Sequence, residues 1–175
     1  MIRRFFSVLF MCTLITLTVS EGLTSTATQD RKTTPENEAA QEGIRAAINH
    51  YFNGHATGDA SHMRKAFLPT AHIEGIREGK FTSWTLDEYC AGFRGKPASD
   101  ESKRVRTIDL IDVSGNSGMA KATLVHGGTV FTDYFVLLKV GEEWRIANKV
   151  YYGRRNERVR DLEAKEANPV CGPLR

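Results

Sequence analysis

What this chain lacks narrows its function first. It has no Gly-x-Gly-x-x-Gly, no phosphate loop, no His-Glu-x-x-His, no Cys-x-x-Cys and no Gly-x-Ser-x-Gly. The sequence signatures of dinucleotide binding, nucleotide binding, zinc proteolysis, thiol redox exchange and serine hydrolysis are therefore missing. Charge of one sign is scarce too. A net charge of +3, with no dense basic patch interleaved with aromatics, speaks against nucleic acid as a partner. There is no Asn-x-Ser/Thr glycosylation acceptor and no internal repeat. The five histidines do not make a metal site. His50 and His55 lie five apart on one helix, about 140° round its axis, so they do not converge. His62 sits beside Met63 on the next helix, facing solvent, and His72 and His126 fall on strands with no ligand spacing. Neither a metal nor another cofactor is expected.

Long hydrophobic runs are also wanting. The only one, Phe5 to Val19, follows the basic opening Met1-Ile2-Arg3-Arg4 and precedes small and polar residues. It is short against the ~20 residues of a membrane helix. Residues 1–27 therefore read as a secretory signal peptide, cleaved after Gly22 or Ala27, with a retained anchor as the alternative. The expected location is secreted or periplasmic, with no membrane contact after cleavage. Losing Arg3, Arg4 and Glu21 leaves the mature chain only weakly basic. Export leaves Cys90 and Cys171 in a compartment that permits a disulfide. They could pair, or Cys90, at helical spacing with Leu86 and Phe93, could be a plain buried thiol.

What is present is one domain with room for a real core. Residues 28–35 read as a flexible linker and 154–175 as a charged tail. Between them, Thr34-Pro35 opens a helix carrying Ala40, Ile44, Ala47, Ile48, Tyr51 and His55 at spacings of three and four. Asp59 caps a second, shorter helix with Met63, Ala66 and Phe67 on one face, and Pro69 stops it. His72 to Ile76 fits a short strand, with Gly75 and Gly79 bracketing a polar turn. Thr85-Leu86-Asp87-Glu88 is a capping box for a third helix burying Leu86, Tyr89, Cys90 and Phe93, which Gly95-Lys96-Pro97 ends. Four alternating strands follow, Val105–Val113, Met119–His126, Thr129–Val140 and Trp144–Tyr152, joined by turns at residues 114–118, Gly127-Gly128 and Gly141-Glu142. Helices followed by an antiparallel meander give an α+β domain with the helices on one face of a curved sheet.

This order resembles the nuclear-transport-factor-2-like superfamily, and within it the putative lumazine-binding family. Five stretches carry the resemblance: Tyr51-Phe-Asn-Gly-His-Ala-Thr-Gly-Asp59, Ala66-Phe-Leu-Pro69, Leu86-Asp-Glu-Tyr89, Asp133-Tyr-Phe-Val-Leu-Leu-Lys139 and Trp144-Arg-Ile-Ala-Asn-Lys-Val150. The resemblance as a whole covers about residues 36–153. The resemblance implies a cone-shaped fold, a curved antiparallel sheet with three helices on its concave face enclosing a cavity. It also implies homodimerisation through the outer face of the sheet.

Strand parity then nominates inward residues. On the last strand Trp144, Ile146, Asn148 and Val150 share a face; on the strand before, Phe131, Asp133, Phe135 and Leu137 do. Asn148 is thus placed to orient a ligand carbonyl, unless it is a satisfied sheet amide. Tyr51, His55, Trp84, Tyr89 and Phe135 are candidates to line the cavity, against the alternative that they are ordinary core. Asp133, flanked by aromatics, is a candidate general base, with His72 as a second; the alternative for Asp133 is a structural ion pair. The superfamily includes ketosteroid isomerases and dehydratases, but no motif here matches their catalytic residues. The expected function is binding of a small, partly apolar, aromatic molecule. A proton-transfer isomerase or dehydratase and a non-catalytic dimerisation module are the alternatives.

Overall fold

The structure, a computed structural model, describes residues 34–77 and 79–155. The expected signal peptide, most of the linker, the tail from residue 156 and Cys171 lie outside the described residues.

Local sequence sets the three helices. Helix α1, Pro35–Thr57, starts where the Thr34 hydroxyl accepts from Asn37 N at 3.3 Å, with Pro35 at its first position. Ile44, Ala47, Ile48 and Tyr51 form its buried stripe, and it ends on Gly58 at φ 71°, a left-handed conformation natural to glycine. Helix α2, Ala60–Ala66, is capped by Asp59, whose Oδ1 accepts from Ser61 N at 2.8 Å. Helix α3, Leu86–Ala91, carries the full capping box of Thr85 and Glu88. It closes at Ala91, one turn short of Gly95.

Six strands form one curved, unclosed sheet in the order β2-β1-β6-β5-β4-β3. They are β1 His72–Arg77, β2 Lys80–Thr85, β3 Val105–Ser114, β4 Ser117–His126, β5 Thr129–Val140 and β6 Glu143–Arg155. Three features depart from the sequence expectation. Residues 80–85 form a strand, so Gly75 lies inside β1, opposite Thr82, rather than in a turn. In addition, β1 joins β6 in parallel, Ile73 beside Lys149 and Gly75 beside Tyr151, which makes the sheet mixed rather than wholly antiparallel. The strand β6 also runs past Tyr152, with Arg154 and Arg155 paired to Val130 and Thr129.

The core sits between α1, α2 and the inner faces of β3–β6. Ile44, Ile48, Met63, Phe67, Leu137 and Ile146 are all essentially sealed from solvent. Burying side chains of this size contributes roughly 1.5–3 kcal/mol apiece. Two register shifts bend the sheet. One falls between Ile108 and Leu110 on β3, the other lies on β6, where Val136 pairs with Asn148 but Leu137 pairs with Ile146. Ala147 is the extra residue of the second, a β-bulge that reverses which side chains face inward beyond it.

Candidate functional site

At the end of the sheet beyond that bulge the interior is hollow. A cavity of about 200 Å³ opens between α1, α3 and the sheet. Helix α1 contributes Tyr51 and His55, one turn apart on its inner face with ring centroids 4.8 Å apart. Helix α3 supplies Tyr89. From the sheet come Ile73 and Arg77 on β1, Trp84 on β2, Leu124 and His126 on β4, Phe131 and Asp133 on β5, and Lys149 and Tyr151 on β6.

Three polar groups meet inside it. The Tyr51 hydroxyl donates to Asp133 Oδ2 at 2.6 Å. Lys149 Nζ donates to the Tyr51 oxygen at 2.8 Å and to Asp133 Oδ2 at 2.9 Å. The Lys149 and Asp133 side chains are 5% and 1% exposed. Three rings surround the ammonium, with centroids 4.8 Å (Tyr51), 5.1 Å (Tyr151) and 5.9 Å (Tyr89) from Nζ. Cation–π attraction and the carboxylate together offset the cost of burying this charge. Asp133 Oδ1 is buried with no hydrogen-bond partner among the described residues, an unused acceptor in a residue that lines the cavity.

Burial dominates the electrostatics. It pulls the Lys149 ammonium below its ordinary pKa, against the raising influence of the Asp133 charge. Burial, then the Asp133 charge, pushes the Tyr51 hydroxyl well up, and Tyr89 rises for the same two reasons. His55 is held well down by burial and then by the Lys149 charge. His126 is lowered to about 4, by burial first and then by Arg106 and Arg104. Both imidazoles are therefore neutral at neutral pH. His55 Nε2 shares a 2.9 Å hydrogen bond with the Tyr89 hydroxyl, while His126 Nε2 is buried without a partner among the described residues.

At the rim, Trp84 and Tyr151 stack nearly parallel, 7° apart with centroids at 6.2 Å. The Tyr151 hydroxyl is tied to Thr82 at 2.8 Å. The stack needs Gly75: a Cβ there would come within 2.6 Å of the Tyr151 ring and 2.7 Å of its carbonyl oxygen. Trp84 is thus a fixed wall rather than a loose side chain.

Of the residues singled out by sequence, Tyr51, His55, Trp84, Tyr89 and Asp133 stand together around the cavity. Three do not. Asn148, expected to point inward, lies one residue past the bulge and faces away. Its Oδ1 accepts from His72 N at 3.0 Å and its Nδ2 donates to Glu74 at 3.3 Å, so it is a satisfied sheet amide. Val150 and Tyr152 are turned outward by the same inversion, and Lys149 and Tyr151 take their places. Phe135 is buried beneath Tyr51, centroids 5.2 Å apart, and belongs to the packed core. His72 opens β1 with its side chain exposed, away from the cavity. His62 is half-buried, its Nδ1 3.4 Å from His50 Nδ1, rather than solvent-facing. Among the described residues Cys90 is a free buried thiol, its Sγ 3.9 Å from the Ala60 carbonyl oxygen. Sequence reasoning missed Lys149 altogether, because lysine is almost never fully buried unless paired. The only available signal was its neighbourhood: a Lys paired with Phe135, two residues along β5 from the one Asp of that strand.

Comparison with known proteins agrees with this architecture. The family model described as putative lumazine-binding matches residues 39–152, and the chain belongs to that family. Solved structures place it in the nuclear-transport-factor-2-like superfamily. An NTF2-like protein of unknown function from Shewanella baltica is 27% identical, with 70% of this chain and 98% of that one covered and a TM-score of 0.61. One from Methylobacillus flagellatus is also 27% identical, covering 70% and 96%, with a TM-score of 0.60. One from Silicibacter pomeroyi is 23% identical, covering 67% and 98%, with a TM-score of 0.61. No curated protein matches the chain.

Proposed function

We propose that this protein binds a small planar ring compound in the cavity beside Tyr51, Trp84 and Asp133. One observation carries the reading: an Asp133 Oδ1 with no partner among the described residues, in a cavity walled mostly by aromatic and aliphatic side chains, with Lys149, Arg77 and two neutral histidines among them. A few convergent polar groups in an apolar pocket are the usual make-up of a small-molecule site. Size agrees as well. An apolar cavity of ~150 Å³ admits benzene, so about 200 Å³ suits one or two fused rings. Lysine carries three donors and Lys149 spends two on Tyr51 and Asp133, which leaves one N–H for a ligand acceptor. A ring bearing a carbonyl next to an N–H would use Lys149 and Asp133 Oδ1 at once. Lumazine, named in the family description, is a fused heteroaromatic of that kind.

Thermal melting against a panel of ring compounds tests this. A lactam-bearing ring should raise the melting temperature, and Trp84→Ala should abolish the rise. A panel without effect on the wild-type protein would reject the site.

Two further parts of the reading concern context. Residues 1–27 act as a signal peptide for secretion or periplasmic delivery, which mass measurement of the N-terminus of exported protein would check. The protein pairs with a second copy through the outer face of the sheet. Tyr134, Val136 and Leu138 on β5 and Val150 and Tyr152 on β6 lie there, each at least 41% exposed, an apolar strip of the kind that marks an interface. Val136→Asp should yield monomers by light scattering; an unchanged mass would exclude that face. Proton-transfer catalysis is the second functional reading, since Asp133 offers a free oxygen to a ligand C–H. Loss of turnover in a folded Asp133→Asn variant would favour it.

A further inference from the structure

We propose that Lys149 forms a Schiff base with a small aldehyde or ketone held in the cavity, which adds a covalent reaction to non-covalent ring binding. Three independent observations converge on this lysine. Its Nζ lies in a residue that lines a cavity large enough for a ring compound. A proton acceptor, Asp133 Oδ2, is 2.9 Å away, and a hydroxyl that can relay protons, Tyr51, is 2.8 Å away. The bulge at Ala147 is what turns Lys149 inward, and bulges beside active sites serve to re-aim a side chain. An unbulged β6 would send this lysine to the outer face.

The step balances without any reagent beyond the carbonyl compound. Lys149 passes one ammonium proton to Asp133, and the nitrogen lone pair attacks the carbonyl carbon as the C=O π electrons move to oxygen. Tyr51 relays a second nitrogen proton to that oxygen, giving a neutral carbinolamine. Protonated Asp133 then returns its proton to the new hydroxyl, which leaves as water while the nitrogen lone pair closes the C=N bond. The product is an iminium ion and one water. It carries the same single positive charge in the same place as the ammonium. Asp133 and the rings of Tyr51, Tyr89 and Tyr151 therefore hold the product as they hold the free lysine. The other titratable neighbours, His55 and His126, are neutral, and Arg77 stands at the mouth. Burial also lowers the pKa of the Lys149 ammonium, which raises the share of reactive amine.

Benzaldehyde with cyanoborohydride at neutral pH is the test. Reduction of the imine adds the mass of benzaldehyde less one oxygen, and peptide mapping locates it. Lys149 should be modified severalfold faster than the exposed Lys80, Lys96 and Lys103. Tyr51→Phe, which keeps both lysine and carboxylate, should slow labelling at Lys149 and leave the surface lysines unchanged. Lys149→Arg should lose the fast site while keeping a cation beside Asp133; if that variant does not fold, the wild-type map and Tyr51→Phe decide the matter. Labelling of the surface lysines in folded protein with Lys149 untouched, or no faster than they are, overturns the proposal. Benzyl alcohol separates this result from the ring-binding reading. Stabilisation by the alcohol without labelling by the aldehyde overturns the Schiff base alone. Neither effect overturns both.

Discussion

The two ends of the β5–β6 pair are made of the same strands and behave as different materials. Before Ala147, Trp144, Ile146 and Leu137 face α1 and interlock with Ile44, Ile48 and Met63 into solid core. After it, Asp133, Lys149 and Tyr151 face a hollow with a buried ion pair and an unpartnered oxygen. One inserted residue separates them. A protein interior is either filled by apolar side chains or lined by polar groups that satisfy one another, and a half-satisfied polar end is tolerated where a ligand completes it.

The largest effect should come from breaking the buried pair. Lys149→Met leaves the Asp133 carboxylate without its cation, and denaturant unfolding should register a loss of about 3–5 kcal/mol. The double variant Lys149→Met with Asp133→Leu should recover most of that loss. If the single substitution were harmless, the hollow end would be ordinary core. At the solid end, Ile146→Ala should cost about 2–5 kcal/mol by leaving a cavity, yet leave stabilisation by ring compounds intact. Trp84→Ala should abolish the ligand response, at some cost in stability because the ring packs on Tyr151 and the core edge. A smaller effect concerns pH. His126 has its pKa lowered from 6.5 to about 4 in the folded state, so the unfolded chain binds more protons between those values. Stability should therefore fall as pH drops from about 6.5 towards 4 and level off below. His126→Gln should flatten the decline in thermal melts; an unaltered slope would assign it to other groups, His55 first. Smallest, and remote from the comparison, Thr85→Ala should remove the α3 cap for about 1 kcal/mol without touching either end.

How far these features were legible follows from the range of the forces behind them. The helix starts at Thr34, Asp59 and Thr85 are contacts within three residues, and all three stand as read. Strand parity held along β5, where the ladder is regular, and so Asp133 was placed correctly. It failed on β6, where nothing in Ile-Ala-Asn-Lys announces that Ala147 is surplus to the pairing. That failure moved Asn148 out and brought Lys149 in. The strand β2 was missed for a related reason: Lys80–Thr85 has little alternation of its own and is a strand because β1 offers it an edge.

The residues themselves settled the α+β class, the succession of elements apart from β2, and the five aromatic and acidic side chains that meet at the cavity, since propensity, capping and apolar spacing act over a few neighbours. Folding alone chose the parallel seam between β1 and β6, the position of the bulge and the partnership of Asp133 with Lys149 and Tyr51. Those depend on groups brought together from distant parts of the chain, where the cost of one unmatched buried charge outweighs any local preference.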